Sequence, residues 1–478
     1  MREKNIFMNK TIKLLTIILL YYIVGSKNLF LYVLSLSLYE ILTTSFNHLS
    51  FKERLNEMNN LQEKGKLYHV TIVGIVVMSM IYLLLSIIIS DVINILLGIN
   101  NILLPFIFMG MSTLVSPLVK VVTDYYENVN KNTKYQKIIN VYYILDNILL
   151  LIIGLLVFRV CNLDNNISAS LLYFAKIISG SSIILFIHSI NKGKNNYKND
   201  LERINYFHEI KEVFVSDGYK RIIVTIKKSY YYVSIIILYL VLSTRYGYKS
   251  DEIERIITFV YFYALNIIEY LVYIVKFVNK NLPIKITPLN RIYSNFKIML
   301  SLVIFFGIIS PITCKLLFYN DSYAVYLAMM NMMAIFMLLY DITFDSIKNK
   351  KVIYISLIVG FISKLVLIIP LINSFYRMGY NLVYGDVLST IIGMFLSIVV
   401  NYIYIVNTTH SHEKYFDKVL KILFDNIVFC IILVLVQFII PMNTDNYFRT
   451  LGLLWLYLIF VYGVIKIKSI RLRRKKRG

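Results

Sequence analysis

Apolar stretches of about 20 residues recur along the whole chain, and short polar segments, many of them charged, separate them. A helix needs about 20 residues to cross the hydrocarbon core of a bilayer. Because backbone polar groups inside a bilayer must be bonded within the same segment, each stretch is predicted to be a helix. The pattern predicts about fourteen transmembrane helices, at residues 14–25, 28–47, 70–90, 102–123, 139–160, 168–189, 229–244, 256–275, 298–319, 322–345, 352–373, 381–407, 422–441 and 449–465.

The composition agrees with a membrane protein. Of 478 residues, 58% are hydrophobic and 16% are charged, and the mean hydropathy is +0.67. A soluble chain of this length carries more charge on its surface. The longest polar segment, 190–228, is too short to bury a core of its own. We therefore predict an all-α membrane protein without a soluble domain.

The distribution of Lys and Arg predicts the orientation. With the N-terminus inside, the segments assigned to the cytoplasm hold 39 of the 50 basic residues, and those assigned to the outside hold 7. Basic residues accumulate on the cytoplasmic side of membrane proteins. We therefore expect a multi-pass protein of the cell membrane with both termini in the cytoplasm. The basic C-terminal segment 468–478 is interpreted as an anchor to anionic lipid, and no nucleic acid partner is expected.

The loop pattern divides the chain. Long charged loops at 48–69 and 276–297 occupy corresponding places in two sets of six helices. We predict an N-terminal six-helix lobe at 1–190, a cytoplasmic linker at 191–228, a C-terminal six-helix lobe at 229–407, and two further helices with a basic tail at 408–478. Two such repeats around a central cavity are typical of transporters.

Four segments carry a resemblance to a known family. They are GSKNLFLYVLSLSLYEILTTSF (25–46), the charged FKERLNEMNNLQEKGKLYH (51–69), VVTDYYENVNKNTKYQKIINVYYILDN (121–147) and LLYDITFDSIKNKKVIYISLIVGFISKLVLIIPLI (338–372). In order and character they resemble the MOP flippase superfamily, above all its branch with stage V sporulation protein B and the MurJ lipid II flippases. The last segment, with Lys364 in a Lys-Leu-Val-Leu run, is the most specific.

The resemblance implies a function. Members of this family have two six-helix lobes around a central cavity, with two added helices in this branch, and move lipid-linked sugar diphosphates across the bilayer by alternating access. The expected cargo is an undecaprenyl-pyrophosphate-linked sugar, either lipid II or a polysaccharide repeat unit. The expected driving force is the membrane potential or an ion gradient, with no cofactor. Membrane lipids and proteins of cell-wall or polysaccharide synthesis are the expected partners.

Charged side chains within the spans are the candidate site residues. Each costs at least about 2.5–3.5 kcal/mol to insert, so each requires a physical reason. We expect Lys176 and Lys364 to lie on the cavity wall and attract a pyrophosphate. Glu40, Asp146 and Glu269 would hold these lysines in the empty cavity or bind a coupling cation. Alternatively, the same residues form buried ion pairs that tie helices together.

Small and amide residues within the spans predict helix contacts. Glycine lets two helices approach closely, and an amide can form a hydrogen bond between helices. We expect Gly154, Gly180, Gly360 and Gly393 to lie at such contacts. Hydrogen bonds between helices are expected of Asn147, Asn266, Asn331, Asn401 and Gln437.

Other functions are also compatible with the sequence. The lipid II flippases place arginines in their first two helices, but the first helix here has none and the second reads Glu40-Ile41-Leu42-Thr43. This difference favours a non-transporting scaffold of an envelope-synthesis complex as one alternative. A drug or cation antiporter on the same fold is another. Enzyme chemistry is not expected: the chain has no Walker-type phosphate loop, its three cysteines form no CxxC pair, and the spaced pair Asp341 and Asp345 lacks a nucleotide-binding domain.

Overall fold

The computed structural model describes most of the chain up to residue 409. The described residues are 2–25, 27–47, 51–97, 102–130, 134–191, 205–206, 208–211, 218–246, 250–280, 288–318, 321–347, 349–409, 422 and 424. All regular secondary structure in these residues is helical, which confirms the predicted all-α class. The predicted spans at 422–441 and 449–465 lie outside the described residues.

The first nine helices follow one another with short connections. Their bounds are α1 (Arg2–Val24), α2 (Phe30–Asn47), α3 (Phe51–Glu57), α4 (Leu61–Leu97), α5 (Leu103–Ser112), α6 (Val115–Asn130), α7 (Lys134–Leu155), α8 (Asn165–Leu172) and α9 (Phe174–Ile190). A π-helical turn, Leu156–Val160, extends α7.

The second part of the described chain holds seven further α-helices. They are α10 (Gly218–Arg245), α11 (Ser250–Thr258), α12 (Leu265–Lys280), α13 (Pro288–Phe318), α14 (Ala324–Asp345), α15 (Lys350–Arg377) and α16 (Val383–Thr409). The π-helical turn Phe259–Ala264 joins α11 to α12 without a break in the helix. Such turns contain one extra residue and occur often at functional sites.

Ten helical segments of the described chain are long and apolar enough to cross a membrane. The twelve spans predicted up to residue 407 each coincide with one helix or with two helices in sequence, so the multi-pass architecture is confirmed. The helix at Leu61–Leu97 differs in extent from its prediction, because it includes part of the preceding charged loop and continues past Asp91. No proline interrupts this stretch, and the helix therefore winds through it.

The described residues form two compact units. The first contains residues of Met1–Ile267 together with Ile353–Gly393. The second contains residues of Ile268–Val352 and those from Met394 onward. The lobe and linker boundaries predicted from loop lengths stay predictions, since most of the predicted linker lies outside the described residues.

Within the first unit, α1 and α7 run side by side in the same direction. At one end, the Asn9 side-chain amide donates to Asn140 Oδ1 at 2.9 Å. Fourteen residues further along α7, a Cβ on Gly154 would lie 3.0 Å from Leu20 Cδ1. Still further along, the Arg159 guanidinium donates to the final carbonyls of α1. These three contacts fix the register of the two helices.

The predicted close helix contacts are confirmed where a glycine meets a neighbour. Gly180 on α9 lies directly against Val115 on α6, and a Cβ on Gly393 of α16 would lie 2.6 Å from the carbonyl oxygen of Gly360 on α15. The absence of a side chain thus lets α15 and α16 meet backbone to backbone at Gly393, and lets the Val115 side chain pack onto α9 at Gly180.

The second unit is held partly by polar contacts. Lys276 on α12 forms an ion pair with Asp341 on α14. The amide of Asn401 on α16 donates to Thr343 Oγ1 at 3.5 Å, which confirms the predicted bond between helices for this residue. The amides of Asn147 and Asn266 donate instead to carbonyls four residues earlier in their own helices. Asp341, the first of the two aspartates spaced four residues apart, therefore already has a lysine as its partner.

Candidate functional site

The first unit contains a cavity of about 390 Å³. Its wall comes from α1, α2, α6, α7, α9, α10, α12 and the π-helical turn before α12. The polar lining residues are Asn9, Lys10, Lys13, Tyr32, Tyr39, Glu40, Thr43, Ser116, Tyr142, Tyr143, Asp146, Asn147, Lys176, Tyr232, Tyr261 and Asn266. The cavity is therefore polar and rich in tyrosine, although it lies among apolar helices.

Helical spacing brings these side chains to one place. On α2 the lining positions are 32, 33, 36, 39, 40 and 43, and on α7 they are 142, 143, 146, 147 and 150. Residues three and four apart share one face of a helix. On α1 the positions 6, 9, 10, 13 and 17 follow the same rule. Each helix thus presents one polar stripe to the cavity, while its other faces pack against protein or face lipid.

An ion pair lies in the cavity wall. Lys176 Nζ on α9 is 3.4 Å from Asp146 Oδ2 on α7, and the side chains keep 21% and 16% exposure. The Ser179 hydroxyl lies 3.4 Å from the other carboxylate oxygen. The ammonium also lies 5.2 Å from the centre of the Tyr39 ring, a distance at which the ring attracts a cation. Contacts with each other, with Ser179 and with Tyr39 therefore hold the two charged side chains in place, and both remain accessible from the cavity.

The second lining carboxylate also has a cationic neighbour. Glu40 Oε2 on α2 is 3.6 Å from Lys228 Nζ on α10. Lys228 lies 5.6 Å from the centre of the Tyr232 ring, which is itself part of the wall. Both carboxylates of the cavity are thus balanced by lysines.

Two further lysines come from α1. Lys10 and Lys13 line the cavity, and Lys10 forms no ion pair with any residue that the structure describes. Their place in the sequence did not mark them as site residues, because basic residues near an N-terminus are also the usual orientation signal. Their spacing with Asn9 and Ile17 on one helix face was the available signal. The three lining lysines outnumber the two lining carboxylates.

The structure brings Glu40, Asp146 and Lys176 together at the cavity, but not the other two predicted site residues. Lys364 on α15 is fully buried, and its ammonium donates to the backbone carbonyl of Tyr230 and to the Ser234 hydroxyl. It does not line the cavity. Glu269 lies in the second unit and is also absent from the wall. For Lys364 the contacts are those of a residue that ties α15 to α10.

A buried carboxylate lies near the same contact. Asp386 on α16 has no exposed surface and lies beside Ser234, the residue that accepts from Lys364. Nothing in the sequence indicates that these two charged residues lie close together. A lysine and a carboxylate therefore flank one serine among α10, α15 and α16.

Signs of metal binding are absent from the described residues. No group of three or more His, Cys, Asp or Glu side chains converges there. Of the cysteines in the described part of the chain, Cys161 is exposed and Cys314 is buried.

These features define a class: a multi-pass helical membrane protein with a charged, tyrosine-lined cavity inside a helix bundle. No protein-family model and no curated protein matches the sequence. The chain is similar in structure to the lipid II flippase MurJ in an inward closed conformation. That likeness has a TM-score of 0.65 and 14% identity, and it covers 99% of this chain and 99% of that chain.

The chain is also similar to a multidrug resistance MATE family transporter of the MOP superfamily. In the inward-facing conformation the TM-score is 0.53 at 13% identity, over 86% of this chain and 95% of that chain. In the outward-facing conformation it is 0.50 at 12% identity, over 84% and 93%. At these identities the likeness establishes the fold, and at that level the predicted resemblance is confirmed.

Proposed function

We propose that this protein is a transporter that moves a lipid-linked sugar diphosphate across the cell membrane by alternating access. The fold supports a transporter, since its likeness to the flippase MurJ covers nearly the full length of both chains. The observation that carries the choice of an anionic cargo is the excess of lysines over carboxylates in the cavity wall.

The charge balance of the wall is the physical basis of this choice. Asp146 and Glu40 are already paired with Lys176 and Lys228, so the carboxylates leave little free negative charge for a cation. Lys10 and Lys13 add positive charge to the same space. In a site with a low dielectric this excess attracts a phosphate strongly.

The membrane potential is the proposed driving force. Moving one elementary charge across 100 mV changes its free energy by about 2.3 kcal/mol. A negative-inside potential therefore favours the outward movement of a lipid with two phosphate charges. The protein needs no nucleotide for this step.

Translocation in proteoliposomes tests the proposal. The purified full-length chain is reconstituted, a negative-inside potential is applied, and the movement of fluorescent lipid II or of a lipid-linked polysaccharide unit is followed. The double variant Lys10→Ala/Lys13→Ala should slow movement about tenfold or more, because each lost charged contact is worth about 1.5–3 kcal/mol.

Lys351→Ala is the matched control, since it removes an exposed lysine at the start of α15 that is not part of the wall. Its rate should equal that of the unchanged protein. If neither lipid moves with the potential applied, the proposal is wrong. That result would favour the alternative of a non-transporting scaffold in an envelope-synthesis complex.

An antiporter for drugs or cations is the second candidate. The observation that favours it is that Glu40 and Asp146 both face the cavity. It predicts uptake of a lipophilic cationic dye that depends on these two carboxylates. In the same vesicles, dye uptake without movement of either lipid would select this candidate over the flippase.

A further inference from the structure

We infer that two ion pairs latch opposite ends of the contact between α2 and α10. The outer latch is Lys27 with Asp251, just beyond the ends of these helices, on the side predicted to face away from the cytoplasm. The inner latch is Glu40 with Lys228. The inference rests on the alternating access of the proposed function, and it names the contacts that open on each side of the membrane.

The helices α2 and α10 lie side by side and run in opposite directions. The Phe30 ring stacks on the Tyr239 ring with the ring centres 5.0 Å apart, and Glu40 Oε2 is 3.6 Å from Lys228 Nζ. The step from Phe30 to Glu40 spans about 15 Å of α2, and the step from Tyr239 back to Lys228 has nearly the same length on α10. The two helices therefore share one continuous contact. It joins the predicted N-terminal lobe to the predicted C-terminal lobe.

The outer latch lies where the two neighbouring connections meet. Lys27 precedes α2, and Asp251 is in the first turn of α11, which follows α10. The Lys27 ammonium donates to Asp251 Oδ2 at 2.7 Å. Both side chains are exposed, so the contact is mainly electrostatic and a change of one charge is enough to reverse it.

Aromatic contacts lie between the cavity and the outer latch. On α1, Ile17 lines the cavity, and Tyr21, one helical turn further out, packs edge to face against Tyr263 with the ring centres 5.2 Å apart. On α2, the buried Phe30 comes before the first lining position and so lies on the side of the outer latch. Aromatic packing therefore covers the outer end of the cavity, and the outer latch lies beyond it.

The inner latch is looser and belongs partly to the cavity. Glu40 lines the wall, and the Lys228 ammonium lies over the ring of Tyr232, which also lines it. The distance of 3.6 Å between the charged atoms is longer than a hydrogen bond, whereas the 2.7 Å of the outer latch is typical of one. The outer end of the contact is therefore held more tightly than the inner end.

Reversing one charge of a latch turns its attraction into repulsion. Packed interfaces have discrete closed and open arrangements, so a local change in energy shifts the population between them. Lys27→Glu should therefore favour an open outer end, and Lys228→Glu should favour an open inner end. A general loss of stability would not move the two variants in opposite directions.

Labelling of a cavity cysteine from outside tests the inference. Tyr143→Cys places a thiol on the wall of a protein that also carries Cys161→Ser, Cys314→Ala and Cys430→Ser. Spheroplasts that express this protein are treated with a membrane-impermeant maleimide. Adding Lys27→Glu should speed the labelling about three- to tenfold, because a repelling pair replaces an attracting one. Adding Lys228→Glu should slow it by a similar factor.

Two further variants check that the charges act as a pair. Arg377→Glu is the matched control, because it reverses one exposed charge at the end of α15, on the side predicted to face outward, and belongs to neither latch. The labelling rate should not change. The swapped pair Lys27→Glu/Asp251→Lys restores opposite charges, so its labelling rate should return to that of the starting protein.

The outcomes separate the latches from the cargo. The inference is overturned if Lys27→Glu leaves the labelling unchanged, if Arg377→Glu has an equal effect, or if the swapped pair labels as fast as Lys27→Glu. It is also overturned if Lys228→Glu speeds the labelling. The labelling needs no cargo, so the translocation assay judges the proposed function separately. If the labelling changes as expected while neither lipid moves, the latches stand and the proposed cargo is wrong.

Discussion

The ion pair between Lys176 and Asp146 allows a quantitative prediction. Lys176→Met keeps most of the side-chain volume but leaves the carboxylate with the Ser179 hydroxyl at 3.4 Å as its remaining polar contact among the described residues. Removing one partner of a fully buried pair costs about 3–5 kcal/mol. Because both side chains keep some exposure to the cavity, we expect a loss of about 2–3 kcal/mol in the free energy of unfolding.

Removing the other charge of the pair, by Asp146→Asn, should lower the free energy of unfolding by less. Asp146→Asn leaves the Lys176 ammonium near the face of Tyr39, a contact worth about 0.5–2 kcal/mol. We therefore expect a loss of about 1–2 kcal/mol for this variant. The double variant Lys176→Met/Asp146→Asn should lose less stability than the sum of the two single variants, with a coupling energy of about 1–2 kcal/mol. The reason is that the second substitution removes the charge that the first substitution left without its partner.

Thermal unfolding of the detergent-solubilised protein, followed by circular dichroism, measures all four members of this cycle. The reasoning is refuted if the two single losses add up in the double variant. That result would mean that the two side chains do not interact and that the contact contributes nothing to holding α7 against α9.

Three further variants test the packing of the helices. Gly385→Ala should lower stability by about 1–3 kcal/mol, because its Cβ would lie 2.5 Å from a backbone nitrogen of α15. Gly307→Ala is the control in the same melting experiment: a Cβ there would meet nothing within 4 Å, so no loss of stability is expected. Arg159→Ala should cost about 1 kcal/mol through loss of the two bonds to the end of α1, and Arg159→Lys should restore part of it. Tyr135→Phe removes the hydroxyl that donates to buried Asn191 at 2.9 Å, and its melting temperature should fall by an amount equivalent to about 1 kcal/mol; an unchanged value would contradict the bond.

The hydrophobic pattern was sufficient to predict the helices of the described residues and their all-α class. Bilayer thickness sets the length of every span, so apolar stretches of the right length predict helices directly. The same pattern was less accurate at helix ends. The helix Leu61–Leu97 continues into charged sequence, because a helix that has already formed adds further residues at little cost unless a proline stops it.

The site could be predicted only in part. A charged residue deep in a span signals a buried contact, and for Asp146 and Lys176 that contact is the cavity pair. The same signal at Lys364 could not say which way the side chain points, because the rotation of a helix about its axis is set by its neighbours. Its ammonium binds a backbone carbonyl of α10, and sequence position carries no information on such a partner.

The π-helical turn at Phe259–Ala264 has a consequence for any change in chain length near it. The turn holds one residue more than an α-helix would, and Tyr261 and Phe262 within it belong to the cavity wall. Deleting a single residue there would restore ordinary winding, and the residues after the turn would keep their faces, because the wide turn is what absorbs the extra residue. Asn266 would then stay on the wall, whereas the same deletion in a stretch of ordinary α-helix would turn the following residues by about 100°.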